Sequence, residues 1–162
     1  MMRLSDICPV CGMKAEAGVS SVEHLKMYFH FCSEQCRETF VAHPSLYRSK
    51  VGNERSEIIK RRTMRLIEAL NNETTELLIS HLTEMMGLKE VVVEGGKVHI
   101  TYDLLQVTES QIEKALREVG LQLGGAWRDR LHRAWVHNSE EIELDNLAAP
   151  PAPLPNRAPP GA

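Results

Sequence analysis

The stretch KEVVVEGGKVHITYD, residues 89–103, carries the clearest structural signal in this chain of 162 residues. Two runs rich in β-forming residues flank a segment, Glu94 to Lys97, that contains two consecutive glycines. In the second run Val98, Ile100 and Tyr102 alternate with polar residues, as in a strand that buries one face. We therefore predict a β-hairpin that turns at these glycines.

The residues before the hairpin predict a strand followed by a helix. Residues 63–70, TMRLIEAL, place Met64 and Leu66 on one face of a strand, although their apolar spacing also permits a helix. Residues 74–86 follow with leucines and methionines at helical spacing, and Gly87 is placed to end that helix.

The residues after the hairpin predict a second helix and a short last strand. Thr108 and Gln111 form a capping-box pattern at the start of a helix over residues 109–119. LQLGG, residues 121–125, can supply the strand. The resulting order βαββαβ is the ferredoxin-like arrangement, so we expect an α+β fold with a four-stranded antiparallel sheet covered by two helices.

A further helix is predicted over about residues 126–146. Its apolar residues along one side are Trp127, Leu131, Ala134, Trp135 and Ile142. We expect this helix to pack on one of two domains. The division into two domains rests on the composition of the chain, which changes near residue 50.

All four cysteines lie within residues 1–47, and residues 60–147 contain none. We therefore divide the chain into a cysteine-containing module at 1–47, a charged linker at 48–59, a ferredoxin-like domain at 60–124, a C-terminal helix at 125–147 and a Pro-rich tail at 148–162. The tail contains no regular pattern and is expected to be disordered. The basic run Lys60–Arg62 is interpreted as part of the linker or of an exposed helix.

The cysteines Cys8, Cys11, Cys32 and Cys36 have the spacing Cys-x2-Cys-x20-Cys-x3-Cys. Two close pairs of this kind are typical of a tetrahedral zinc site, in which each pair comes from one turn. A module of this size buries too little apolar surface to fold securely alone, and a bound metal supplies the missing free energy.

The residues around each pair agree with a metal site. Pro9 and Gly12 suit a tight turn that directs the first two sulfur atoms at one point. Ser33 can cap a helix that carries Cys36 in its first turn, where the helix dipole favours a thiolate. The residues that lead into Cys32 are expected to form a strand of a small hairpin.

The four cysteines also permit other interpretations than zinc. They are copper, iron or an iron–sulfur cluster as the bound species, a redox role for Cys8 and Cys11, or four unrelated buried thiols. The redox interpretation lacks a thioredoxin-like βαβ context. His30 is either an alternate ligand or a residue exposed on its strand.

The cysteine module resembles the YHS or TRASH family of small metal-binding modules. The resemblance covers residues 6–47 and rests on CPVCGM at 8–13 and YFHFCSEQCRETFVAHPSLY at 28–47. It implies a zinc-binding, treble-clef-like fold in which the metal cysteines are Cys11, Cys32 and Cys36. Many members have aspartate at the position of Cys8, so a fourth thiolate here favours a closed site.

Residues 60–124 resemble the heavy-metal-associated domain of copper chaperones and metal-transporting ATPases. That family binds its ion through Cys-x-x-Cys after the first strand, where this chain has LNNETTEL at 70–77. These residues offer only hard oxygen ligands, which suit a cuprous ion poorly. His81 and Met85 share a helix face and could bind metal, but a stripe of this kind is more often core.

Charge and hydropathy exclude several functions. The net charge of −3 gives no basic field for nucleic acid, and no apolar run is long enough to cross a membrane. The N-terminal residues lack the apolar region of a secretory signal, so we expect a cytoplasmic protein. No motif of an enzyme active site is present, so we expect neither catalytic residues nor catalysis.

Two functions fit these observations. The first is an accessory, adaptor or chaperone-like protein in heavy-metal handling, whose partners are a metal ion and a heavy-metal transporter or its metal-binding domain. The second is a structural zinc module joined to a ferredoxin-like interaction domain that acts as a regulator. In both, the second domain would serve in docking or in self-association to a homo-oligomer.

Overall fold

The computed structural model describes residues 6–15, 20–48 and 56–150. Most of the linker expected at 48–59 and of the tail expected at 148–162 lies outside these residues. The elements are β1 (Ser21–His24), β2 (Met27–His30), α1 (Glu34–Ala42), α2 (Pro44–Tyr47), β3 (Ile59–Arg65), α3 (Asn72–Thr83), β4 (Leu88–Glu94), β5 (Lys97–Asp103), α4 (Glu109–Glu118) and α5 (Trp127–Ala148). Within the described ranges, no helix combines the length and the apolar character needed to cross a membrane.

The hairpin predicted at 89–103 is confirmed. Strands β4 and β5 are antiparallel, with Glu94 paired to Lys97. Gly95 and Gly96 form the turn with φ of 52° and 82°, the conformation of a two-residue turn that matches the twist of a hairpin. Strand β3 pairs with the other side of β5, so the sheet order is β3-β5-β4.

The strand expected at 63–70 begins earlier in the structure. Strand β3 occupies Ile59–Arg65 and includes the basic run interpreted as linker or exposed helix. Lys60 and Arg62 are partly buried, and their charges meet carboxylates of α4 and α5. A strand whose inner face carries paired cations lacks the apolar alternation that marks strands in a sequence.

The fourth strand is shorter than predicted. LQLGG contributes only an antiparallel bridge between Leu66 and Leu123 beside β3. Two backbone hydrogen bonds flank it, from Ile67 N to Gln122 O (3.0 Å) and from Gly124 N to Arg65 O (2.8 Å). The described sheet therefore has three strands and a bridged edge, in the spatial order expected for a ferredoxin-like fold.

Both helices that cover the sheet are present. Helix α4 has the predicted capping box, with the Thr108 and Gln111 side chains each bonded to the other's backbone amide. Helix α3 ends at Thr83, three residues before the predicted end, and Gly87 adopts a positive φ in the turn that enters β4. The core between sheet and helices contains Met64, Leu66, Leu78, Leu82, Val98, Ile100, Tyr102, Leu104, Leu105, Val107, Ile112, Ala115, Leu116 and Leu144.

The predicted C-terminal helix exists, but its buried face was wrongly assigned. Leu131, Trp135 and Ile142 are exposed, whereas the buried residues of α5 are Val136, Glu140 and Leu144. The apolar pattern of the sequence did not predict this face because its central residue, Glu140, is charged. The helix contacts both α2 and α4, so it spans the two parts of the chain rather than packing on one.

Glu140 anchors α5 to the ferredoxin-like domain. Its carboxylate accepts hydrogen bonds from the Tyr102 hydroxyl and from the Glu109 backbone amide, the latter at 2.9 Å. The Arg62 guanidinium lies 3.8 Å from the same carboxylate and 3.7 Å from the Glu109 carboxyl. One cation therefore faces two buried acids.

Burial raises the pKa of Glu109 from 4.5 to about 7, and the charges of Glu140 and Glu113 add to this effect. The folded state therefore holds a proton on Glu109 more tightly than the unfolded state does. This favourable contribution to stability is complete below about pH 4.5 and is lost as the pH rises through about 7.

We predict that Glu109→Gln is more stable than the unsubstituted protein at pH 8 by roughly 1–3 kcal/mol and nearly equal to it at pH 4.5. Denaturant unfolding at both pH values measures the difference. Glu118→Gln, an exposed position of the same helix, is the control and should change little at either pH. A Glu109→Gln variant that is destabilised at pH 8 would show that Glu109 is an ionised partner of Arg62.

Candidate metal centre

The N-terminal part of the chain is built on a small hairpin. Strands β1 and β2 pair antiparallel from Ser21 and His30 to a turn at Leu25-Lys26, both of which have positive φ. The hairpin agrees with the strand predicted before Cys32. Because β2 ends two residues before Cys32, the hairpin delivers this cysteine to the start of α1.

The first cysteine pair lies in the tight turn that its sequence predicts. Gly12 has a φ of 78°, and its amide donates to the Cys8 carbonyl oxygen at 2.9 Å. The Cys8 amide in turn donates to the Met13 carbonyl oxygen at 2.8 Å. These bonds hold Cys8 and Cys11 on the same side of the turn.

The second pair is set by the start of helix α1. Ser33 is the N-cap residue, and its hydroxyl accepts a hydrogen bond from the Cys36 amide at 3.3 Å. Cys36 therefore lies in the first turn of the helix, as predicted, close to the positive end of the helix dipole.

The four cysteines that the sequence singled out come together. Their sulfur atoms all lie within 4.8 Å of one another, and all four are free thiols. The distance from Cys11 Sγ to Cys32 Sγ is 3.3 Å, and that from Cys32 Sγ to Cys36 Sγ is 3.7 Å. A tetrahedral zinc ion with bonds of about 2.3 Å needs its sulfur atoms about 3.8 Å apart, so this donor set fits such an ion.

Burial is uneven across the cluster. Cys8 and Cys36 are fully buried, whereas Cys11 and Cys32 are partly exposed. Behind the buried pair, the ring of Phe40 contacts Phe29, Phe31 and Tyr47 at centroid distances of 4.8, 5.2 and 6.3 Å. This aromatic cluster supports one side of the cysteines and leaves the other side open to solvent.

The hydrogen bonds among the thiols lower the pKa of one cysteine and raise the pKa values of two others. Hydrogen bonds from Cys11 and Cys36 lower the pKa of Cys8 to about 2. The bond with Cys36 lowers the pKa of Cys11, but the bond to Cys8 and burial outweigh it and raise that pKa to about 12. The pKa of Cys36 is raised by its bonds to Cys11 and Cys8 and by burial. A nearby cation would allow further thiols to ionise.

Other candidate ligands stay apart from this cluster. Among the described residues, the only group of three or more ligand side chains that faces one point is the set of four cysteines. His30 has a buried Nδ1 without a hydrogen-bond partner but does not belong to that group. Met85 packs against the core of the ferredoxin-like domain.

Residues 70–77, where the resemblance to the heavy-metal-associated family would place Cys-x-x-Cys, contain the N-terminal cap and first turns of α3. The Asn71 side-chain oxygen accepts hydrogen bonds from the Thr74 amide (2.8 Å) and the Thr74 hydroxyl (2.7 Å). This oxygen serves the start of α3.

The residue beside Cys36 holds the two parts of the chain together. The Gln35 side-chain nitrogen donates to the carbonyl oxygens of Met86 (2.8 Å) and Gln106 (3.3 Å), and its oxygen accepts from the Met86 amide at 3.2 Å. The Tyr47 hydroxyl donates to the Leu105 carbonyl oxygen at 2.6 Å. Sequence reasoning missed these contacts because their partners are 51 to 71 residues away.

No protein-family model matches the chain, and no curated protein matches it. The YHS or TRASH assignment therefore stays a prediction.

Three solved structures are similar to about two fifths of the chain. The CsoZ metallochaperone is 20% identical, with a TM-score of 0.39, over 42% of this chain and 100% of that chain. Oxidized MerP from Ralstonia metallidurans CH34 is 13% identical, with a TM-score of 0.39, over 41% and 96%. A protein from Bacillus anthracis str. Ames, described as copper-ion-binding, is 21% identical, with a TM-score of 0.40, over 43% and 100%.

We predict that Gln35→Ala weakens the contact between the cysteine module and the ferredoxin-like domain. The variant leaves the partly buried backbone groups of Met86 unpaired, at a cost of roughly 1–3 kcal/mol. Because this cost favours local opening of the contact, hydrogen exchange of the Met86 amide should accelerate by about 5- to 150-fold. Val41→Ala, an exposed position on the same helix, is the control. Unchanged exchange at Met86 in Gln35→Ala would contradict the assignment of Gln35 as the main contact.

Proposed function

We propose that this chain is a metal-binding protein whose ion is held by Cys8, Cys11, Cys32 and Cys36. The observation that carries the proposal is the convergence of four free thiols within 4.8 Å. Four thiols that converge on one point at this spacing match the ligands of a tetrahedral metal site, and a cation there would allow further thiols to ionise. The resemblance of residues 6–47 to the YHS or TRASH modules supports the same interpretation.

Zinc is the ion that the donor set favours. Four thiolates at about tetrahedral spacing match a closed zinc site, in which the ion adds folding free energy to a small module. Copper and iron are the alternatives, because both also bind thiolates. The proposal assigns no catalytic role to the chain.

The function that we assign is accessory, adaptor or chaperone-like work in heavy-metal handling in the cytoplasm. The partial exposure of Cys11 and Cys32 supports this role, since an incoming thiolate could approach the ion from their side. A heavy-metal transporter, or a metal-binding domain of one, is the partner proposed to exchange metal with this site.

A second function is supported by the position of Gln35. This residue follows Ser33 and precedes Cys36 in the first turn of α1, and it bonds to two turns of the ferredoxin-like domain. An ion that orders this turn would also order the contact between the two parts. The chain would then be a structural zinc module with a protein-interaction domain that acts as a regulator.

We predict that the full-length protein binds one equivalent of zinc, or of cuprous ion under anaerobic conditions. The ferredoxin-like domain should add no second tight site, because its loop at 70–77 contains no thiol. Elemental analysis and titration against a competing chelator measure the stoichiometry. Loss of the ion should unfold the cysteine module, as should Cys32→Ser. A metal-free protein that stays folded, or a second tight equivalent, would contradict this prediction.

The exchange rate separates the two functions. Cys8→Asp restores the residue found in many members of the family that the module resembles, and it replaces a thiolate by a harder ligand. If the site is structural, the native protein should resist the chelator and Cys8→Asp should release the ion readily. If the site serves metal handling, the native protein itself should exchange its ion on mixing with the chelator.

A further inference from the structure

Helix α5 carries a line of exposed residues along its outer face. Each residue of this stripe follows the previous one by three or four positions, and its members are Arg128, Leu131, Trp135, Asn138, Ile142 and Asp145. Such spacing keeps side chains on one face of a helix, as in the seam of a coiled coil. The stripe lies opposite the buried face formed by Val136, Glu140 and Leu144.

Three of the four central residues of the stripe are large and apolar. The exposed fractions are 59% for Leu131, 65% for Trp135 and 50% for Ile142. The opposite face of the helix is held against the rest of the chain by Glu140, so these side chains stand on an anchored surface. Apolar side chains grouped on one anchored face mark an interaction site.

When two copies of the stripe are aligned antiparallel, each residue faces a residue of complementary character. From the N-terminal end it runs cation, leucine and tryptophan, and then asparagine, isoleucine and anion. We propose that α5 pairs antiparallel with α5 of a second copy of this chain. In that register Leu131 faces the second copy's Ile142, Trp135 faces its Asn138, and Arg128 faces its Asp145.

The wider charge pattern of α5 selects the same arrangement. Among its exposed side chains, the basic Arg128 and Arg130 lie in the N-terminal half, and the acidic Glu141 and Asp145 lie in the C-terminal half. Antiparallel pairing places basic halves against acidic halves, whereas parallel pairing would place like charges together. Antiparallel helix dipoles also attract.

A second copy explains the stripe better than a membrane does. Helices that lie on membranes usually have a polar face rich in cations, whereas half of this helix is acidic. Asn138, in the middle of the stripe, suits a protein partner because a polar residue in a helical seam fixes the register. Asp145 is also bonded to His43 at 2.9 Å, but its side chain remains 67% exposed and accessible to a second cation.

The contact is small. The stripe spans 17 residue steps, or about 26 Å at a rise of about 1.5 Å per residue. A single helix pair of this length falls at the low end of specific interfaces, so we expect a dimer with a micromolar dissociation constant.

Sedimentation equilibrium of the full-length protein over a range of concentrations tests the proposal. The unsubstituted chain should dimerise, and Trp135→Glu and Ile142→Glu should each raise the dissociation constant at least about tenfold. Leu147→Glu is the matched control, because Leu147 is 47% exposed on the same helix but lies off the stripe. Its dissociation constant should change less than about twofold. Circular dichroism of each variant establishes that the chain is folded.

A charge exchange tests the antiparallel direction. Arg128→Asp and Asp145→Arg should each weaken the dimer, and the double variant R128D/D145R should recover it, since the opposite charges then face each other again. The proposal is overturned if the protein stays monomeric at concentrations about 100-fold above the micromolar range. That result is expected if the stripe binds another protein or a membrane instead. A dimer that the stripe variants leave intact, or a double variant weaker than both single ones, also overturns it.

Discussion

Four cysteine sulfur atoms that lie within 4.8 Å of one another cannot all be ionised unless a cation lies among them. The pKa of Cys8 is lowered mainly by side-chain hydrogen bonds from Cys11 and Cys36, whereas the pKa values of Cys11 and Cys36 are raised. The N-terminal part of the chain is small, with a short hairpin and two short helices, and its aromatic core is limited. A cation at the sulfur atoms would allow all four thiols to ionise and would cross-link the turn at Cys8 to the start of α1.

The consequences of this constraint extend into the rest of the fold through the first turn of α1. Gln35, which adjoins Cys36, bonds to the turns that hold Met86 and Gln106, and these turns adjoin the strands of the sheet. Helix α5 closes the arrangement from the other side through the bond between His43 and Asp145. The cysteine cluster is therefore mechanically connected to the ferredoxin-like domain. Both proposed roles are compatible with this connection. In a regulator, the ferredoxin-like domain would respond to metal binding at the cysteines, and in a metal-handling protein it would dock the partner that receives the ion.

The features that the sequence predicted are those with a local signal. The hairpin at 89–103, the α4 capping box and the turn around each cysteine pair follow from residues close together in the chain. The features that it missed depend on distant charges. Strand β3 was placed too late because Arg62 on its inner face is balanced by Glu140, 78 residues away, and the buried face of α5 was misassigned because that same Glu140 lies at its centre. In a sequence, charged residues that are paired in the interior cannot be told apart from charged residues on the surface.

The central claim, that four cysteines bind one ion, is tested most directly by X-ray absorption spectroscopy of the zinc-loaded full-length protein. The account predicts a single shell of four sulfur atoms at about 2.3 Å. A shell of three sulfur atoms and one nitrogen or oxygen atom would exclude one cysteine from the site. A shell made mainly of nitrogen or oxygen at about 2.0–2.1 Å would contradict the account, because the ion would then bind outside the cysteine cluster.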